Sequence, residues 1–160
     1  MKKILTVFAV LILSSCGLKS YHGYKPSEPK NVCFKDFQIN TPEPTLKDIL
    51  YKNISDAVLQ SGNKLECGEK VDYNLYAYLS DIRFYSIGYS PSQRANVYAV
   101  EIKLSIKVED TKGNISTDRT IREKTQYVGT GLRSDFEKRY AYEELGNLVK
   151  VRIFSILSEL

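Results

Sequence analysis

Few side chains in this sequence could do chemistry, and most of those are cysteines. Three cysteines and one histidine occur in 160 residues, so a zinc site has too few partners. No G-x-S-x-G, H-E-x-x-H, P-loop or dinucleotide-binding glycine pattern occurs, which removes the usual parts of triad, metal and nucleotide chemistry. His22 stands beside Tyr21 with no carboxylate or cysteine constellation near it. Glu143 and Glu144 are neighbours, so on a helix they point to different azimuths and read as a solvated face, not an acid/base pair. Gly129-Thr130-Gly131 reads as a strand-to-helix turn and not as an anion cradle. The expectation is a chain with no catalytic residue, no metal and no cofactor, whose function comes from surfaces.

Cys16 is placed for a different chemistry. Lys2 and Lys3 precede the apolar run Ile4 to Leu13, and the stretch ends Leu13-Ser14-Ser15-Cys16-Gly17. A basic start, an apolar run too short to span a bilayer and a small-residue cleavage site together make an export segment. The segment resembles the signal of bacterial lipoproteins. That resemblance implies loss of residues 1–15, diacylation of the Cys16 sulfur and acylation of the new amino terminus. An uncleaved anchor helix and a plain secretory signal are the competing readings. Several acyl chains, at about 0.8 kcal/mol per buried CH2, exceed what stable anchoring needs. No later run reaches the eighteen or so apolar residues of a spanning helix. Gly17 is not the Asp that retains some lipoproteins at the inner membrane, so the expected place is the outer membrane, lipid-anchored on its periplasmic side.

Without residues 1–15 the chain keeps 21 basic and 19 acidic residues. So small an excess argues against a dedicated nucleic-acid partner. The exported setting allows thiols to oxidise, which makes a disulfide between Cys33 and Cys67 the natural expectation. Two buried free thiols and a metal pair are the alternatives. A bridge would close a loop of roughly 35 residues and, in the chain-entropy model, stabilise by about 3 to 4 kcal/mol.

The elements that must position these groups follow from periodicity. Residues 16–31, with Pro26 and Pro29 among polar residues, form a tether without helical or strand pattern. Residues 32–160 are long enough for one domain with its own core. A short strand is expected from Val32 to Ile39, with a parity break between Phe34 and Phe37 that implies a bulge. Thr45 and Asp48 make a capping pair for a helix over about 45–61, stopped by Ser61, Gly62 and Asn63. Val71 to Leu79 alternates as a strand, and Ile82 and Phe84 continue on the other parity after a bulge near Ser80 and Asp81. A loop from Gly88 to Ala95 leads to the clearest strand, Tyr98 to Val108. Lys112-Gly113-Asn114 turns it into a returning strand carrying Ile115, Thr117, Ile121, Thr125 and Tyr127. Ser134 with Glu137 opens a long terminal helix, whose apolar positions include Phe136, Tyr140, Leu145, Val149, Ile153 and Leu157.

This order implies an α+β fold, β-α-β-β-β-α, with two helices on one face of a four-stranded, mostly antiparallel sheet. The other face offers Tyr76, Tyr78, Arg83, Lys103, Lys107, Arg122 and Lys124 among Glu101 and Glu109. It reads equally as a solvated surface or as a binding face. Twelve tyrosines and no tryptophan suit interfaces and wet sheet faces, although some tyrosines belong to the core.

Taken together, these segments resemble the LPS-assembly lipoprotein LptE family. The resemblance rests on Cys16-Gly17 and the tether, the Asn40 to Leu46 segment (N-T-P-E-P-T-L) opening a helix, Asp72 to Tyr76 (D-Y-N-L-Y), the Val108 to Asn114 hairpin and the terminal helix. It implies a plug inside the lumen of LptD, the outer-membrane β-barrel that translocates lipopolysaccharide, with a role in barrel assembly and LPS delivery. Basic side chains would pair with lipid A phosphates. The candidates are Arg83, Arg94, Lys103, Lys112, Arg119 and Arg122. An accessory subunit of another envelope complex and a periplasmic carrier of a small ligand or lipid are the alternative functions.

Overall fold

The computed structural model describes residues 28–40, 43–89, 91, 95–129 and 134–160. Cys16, the export segment, most of the tether and Arg94 lie outside the described residues. The elements are β1 (Asn31–Ile39), α1 (Pro44–Gln60), β2 (Lys64–Leu65), β3 (Tyr73–Tyr89), β4 (Ala95–Asp110), β5 (Ile115–Val128) and α2 (Ser134–Leu157).

The α+β class holds, with two corrections to the sheet. It has five strands in the order β2-β1-β3-β4-β5, the addition being the two-residue β2. It is also mixed: β3, β4 and β5 are antiparallel neighbours, whereas β1 runs parallel to both β2 and β3. The cause is α1, which carries the chain from the end of β1 back past its start, so that β3 sets out in the same direction.

Both parity breaks are bulges. The register slips between Phe34 and Asp36 in β1 and between Leu79 and Asp81 in β3. A one-residue slip flips every later side chain, and here each slip returns apolar residues to the helix side: Phe37 after Phe34, Ile82 after Leu79. At the second bulge the Ser80 hydroxyl donates to the Lys103 carbonyl at 3.0 Å. The expected loop at Gly88 begins later, because β3 and β4 stay paired out to Tyr89 and Ala95.

Helix α1 starts at Pro44, where a missing N–H costs nothing. The Thr45–Asp48 cap does not form; Glu43 is the N-cap residue, and no side chain caps this end. The helix stops where Ser61 N–H bonds the Ala57 carbonyl at 3.0 Å and Gly62 turns left-handed at φ 82°. In α2 the stripe facing the sheet is Ala141, Tyr142, Leu145, Val149, Ile153, Ile156 and Leu157. Phe136 and Tyr140, expected in that stripe, are exposed at 68% and 67%; at 100° per residue they lie on the opposite side of the helix from Leu145.

The core lies between the helices and one sheet face, where Leu46, Leu50, Ile54, Leu75, Leu79, Ile102, Leu104, Ile106, Leu145 and Ile153 are fully buried. The two helices approach closely at Gly146, where a Cβ would come within 2.5 Å of Asn53 Nδ2 and 2.7 Å of Ile49 Cγ2. At the end of the sheet where β1 starts, buried Asn63 is a hub. Its Oδ1 accepts from Lys30 N–H at 3.1 Å, and its Nδ2 donates to Ser61 Oγ at 3.0 Å and to the Leu157 carbonyl at 3.4 Å. Beside it a disulfide joins Cys33 and Cys67, with Cα atoms 4.6 Å apart.

Candidate functional site, the uncovered face of the sheet

Alternation along β3, β4 and β5 divides their side chains between the core and a face that neither helix covers. Cross-strand pairing then sets which residues of that face meet. Asp81 lies opposite Lys103, which lies opposite Arg122; one step along, Arg83 lies opposite Glu101, which lies opposite Lys124. Four cations and two carboxylates thus form a two-row band across three strands. Arg83 Nε donates to Asp81 Oδ2 at 2.7 Å. That hydrogen bond, then the charges of Asp81 and Glu101, hold the Arg83 guanidinium still more firmly protonated than usual.

Towards the β4–β5 hairpin the same face hollows into a groove of about 520 Å³ lined by Asp36, Gln38, Tyr76, Ala77, Tyr78, Ser105, Lys107, Glu109 and Asp118. Lys107 is paired with Glu109, and the hydrogen bond it donates to that carboxylate raises the lysine pKa above its ordinary value. Tyr78 is 42% exposed, so the groove offers phenol faces beside charges of both signs, a surface suited to a polar, partly aromatic contact.

The structure brings three of the six basic candidates together: Arg83, Lys103 and Arg122 stand on this face. Lys112 does not join them. It sits in the hairpin turn, where its backbone N–H donates to Asp110 Oδ1 at 2.8 Å, and Asn114 donates both its backbone N–H and its side-chain amide to the same carboxylate. These bonds, the side-chain amide first, hold the Asp110 carboxyl below the usual range. Arg119 lies on the helix side, opposite Ile106, and pairs with Glu159 at 3.5 Å. Arg94 lies outside the described residues. Lys124 completes the band and was not among the candidates, although its parity with Arg122 is legible in the sequence. Asp36 and Gln38 enter the groove through parallel pairing of β1 with β3, which sequence pattern does not show.

The helix side has its own polar seam. Arg152 Nε donates to Glu123 at 2.7 Å, and Thr125 donates to Glu144. At the end of the sheet remote from the disulfide, Lys138 bonds Glu43 at 2.8 Å and lies over the Phe84 and Tyr142 rings at 4.9 and 5.5 Å. Burial works to raise the Glu43 pKa, but the bond to Lys138, the Tyr142 hydroxyl and the Lys138 charge together outweigh it, and the carboxyl sits below its usual range. Burial, with Glu43 beside it, pushes the Tyr142 phenol far up. Among the described residues no group of His, Cys, Asp and Glu is arranged to hold a metal ion, and no helix is long and apolar enough to cross a membrane.

No protein-family model matches the chain, and no characterised protein sequence does. Solved structures do share the fold. The rare lipoprotein B from Shewanella oneidensis superposes with a TM-score of 0.55 at 13% identity, over 81% of this chain and 95% of that one. A neuraminyllactose-binding hemagglutinin homolog from Helicobacter pylori gives 0.56 at 18% identity, over 86% and 91%. A PelC dodecamer from Paraburkholderia phytofirmans gives 0.58 at 10% identity, over 85% and 93%. The chain therefore spans nearly the whole length of each of these proteins, and the likeness is one of fold.

Proposed function

We propose that the chain is an outer-membrane lipoprotein, anchored through Cys16, that plugs the lumen of the LPS-translocating β-barrel, supports its assembly and helps deliver lipopolysaccharide to the cell surface. The observation that carries the reading is the uncovered sheet face with Arg83, Lys103, Arg122 and Lys124 in one band. A barrel lumen is polar and wet, and a plug needs a polar wall that is rigid because a packed core stands behind it. Guanidinium and ammonium groups held on neighbouring strands can bind the phosphates of lipid A through charge-assisted hydrogen bonds. The resemblance to the LptE family and the fold shared with a rare lipoprotein B support the same reading. The chain acts by contact and carries no catalytic step.

A mild-detergent pull-down of the tagged lipoprotein from outer membranes, with mass spectrometry of what stays bound, tests this. The expected result is one large LPS-transport barrel at near-equal stoichiometry, together with lipopolysaccharide. An inner-membrane transporter, or no stable protein partner, would overturn the reading. A second reading, an accessory subunit of another envelope complex, is supported by the fold shared with PelC, which is a dodecamer.

A further inference from the structure

We propose that the outer edge of β5 pairs with the β5 edge of a second copy of this chain, antiparallel and centred on Ile121. Strand β5 is the last of the sheet and runs for 14 residues, Ile115–Val128, with no proline among them. Among the described residues one row of its backbone groups has no strand partner, and such an edge is a template for another strand.

The side chains select the partner and the register. Antiparallel pairing must match face to face, so only registers with an even sum of residue numbers are allowed. Centring on Ile121 sets Asp118 opposite Lys124 on the uncovered face. On the helix side it sets Arg119 opposite Glu123, Thr117 opposite Thr125, and Ile121 opposite itself. By two-fold symmetry each unlike pair occurs twice, and no like charges meet. Shifting the centre to Arg122 sets that arginine against its own copy, and shifting it to Thr120 keeps one kind of opposite-charge pair, Asp118 with Arg122, but leaves Lys124 opposite Ser116 and Arg119 opposite Ile121. Direct opposite-charge pairs favour a register and like pairs oppose it, so the Ile121 register, with two kinds of opposite-charge pair against one, is favoured. Arg119 and Glu123 already hold Glu159 and Arg152 in their own chain, and Asp118 meets a cation in either register, which leaves Lys124 to discriminate most strongly.

The surroundings admit an added strand. A groove of about 510 Å³ runs between residues 119–123 of β5 and α2, and it is lined by Ile121, Ile156 and Val151, the last 62% exposed. The result is a continuous ten-stranded sheet with both uncovered faces on the same side. This pairing does not rest on the barrel reading, in which a single copy sits in a lumen.

The test uses the full lipidated chain in detergent micelles, followed by sedimentation velocity over a range of concentrations. The wild-type chain should form a reversible dimer. Asp118→Lys and Lys124→Asp should each weaken dimerisation ~10-fold or more, because each creates two like-charge contacts. The double variant D118K/K124D should recover it, with melting temperatures showing that all variants fold. Oxidative cross-linking fixes the register independently: a mixture of the D118C and K124C proteins should give a covalent dimer, and neither protein alone should. A monomer at every concentration, a double variant that stays weak, or cross-linking of D118C to itself would overturn the proposal.

Discussion

The two faces of this sheet are built from alternate residues of the same strands, yet they do opposite work. On the helix side Val100, Ile102, Leu104, Ile106 and Val108 are all fully buried. On the other side Glu101, Lys103, Ser105, Lys107 and Glu109 keep partial access to water. Burial of apolar area makes the first face the source of stability. Exposed ion pairs contribute little, so the second face can hold a dense set of charges at small cost to the fold. A strand of period two thus separates an apolar core from a charged surface one residue at a time.

That contrast can be attacked position by position. Leu104→Ala on the buried face should lower unfolding free energy by about 2 to 5 kcal/mol, read from urea midpoints with unchanged slope. The disulfide is an exception to the division, because Cys33 lies opposite Asn74 on the uncovered side and is nevertheless buried. Replacing both Cys33 and Cys67 by alanine should cost about 3 to 4 kcal/mol, and a loss below 1 kcal/mol would show that the 34-residue loop is constrained without it. Gly146→Ala should cost about 1 to 3 kcal/mol by wedging α1 from α2 at Asn53.

The Glu43–Lys138 pair gives a smaller, pH-dependent effect. The folded-state pKa of Glu43 is depressed, so its contribution is present above the unfolded carboxylate range and is lost as pH falls through the folded value. Lys138→Met should remove that part of the acid sensitivity, visible as a flatter melting-temperature profile between neutral pH and the acid limb. The smallest stability effect is expected from Lys103→Glu or Arg122→Glu, within about 0.5 kcal/mol. The same variants should weaken binding of lipopolysaccharide micelles ~10-fold or more. A charge reversal that unfolds the chain, or that leaves binding intact, would erase the distinction between the faces.

How much of this the sequence shows depends on whether the cause is local. The alternation of Tyr98 to Val108, the Asp110–Asn114 turn and both bulges could be read directly, because each is a pattern within a few residues. The parallel seating of β1 against β3 could not be read, and neither could β2, whose two residues carry no period. Phe136 and Tyr140 misled because they are apolar and lie near the right spacing, while the helix turns them away from the core. Of the site, Arg83, Lys103 and Arg122 followed from parity. Arg119 did not, since its parity places it with Ile121 on the helix side, where Glu159 provides a partner from the far end of the chain.

In the proposed role the uncovered face, and not the helical layer, meets the barrel and its lipid. A photo-cross-linking residue placed at Lys103 in living cells, with the anchor at Cys16 intact, tests this most directly. The expected result is a covalent product with a large outer-membrane β-barrel protein, accompanied by a lipopolysaccharide adduct. Cross-linking only to an inner-membrane complex, or no product from position 103 while the exposed α2 position 140 captures the barrel, would contradict it.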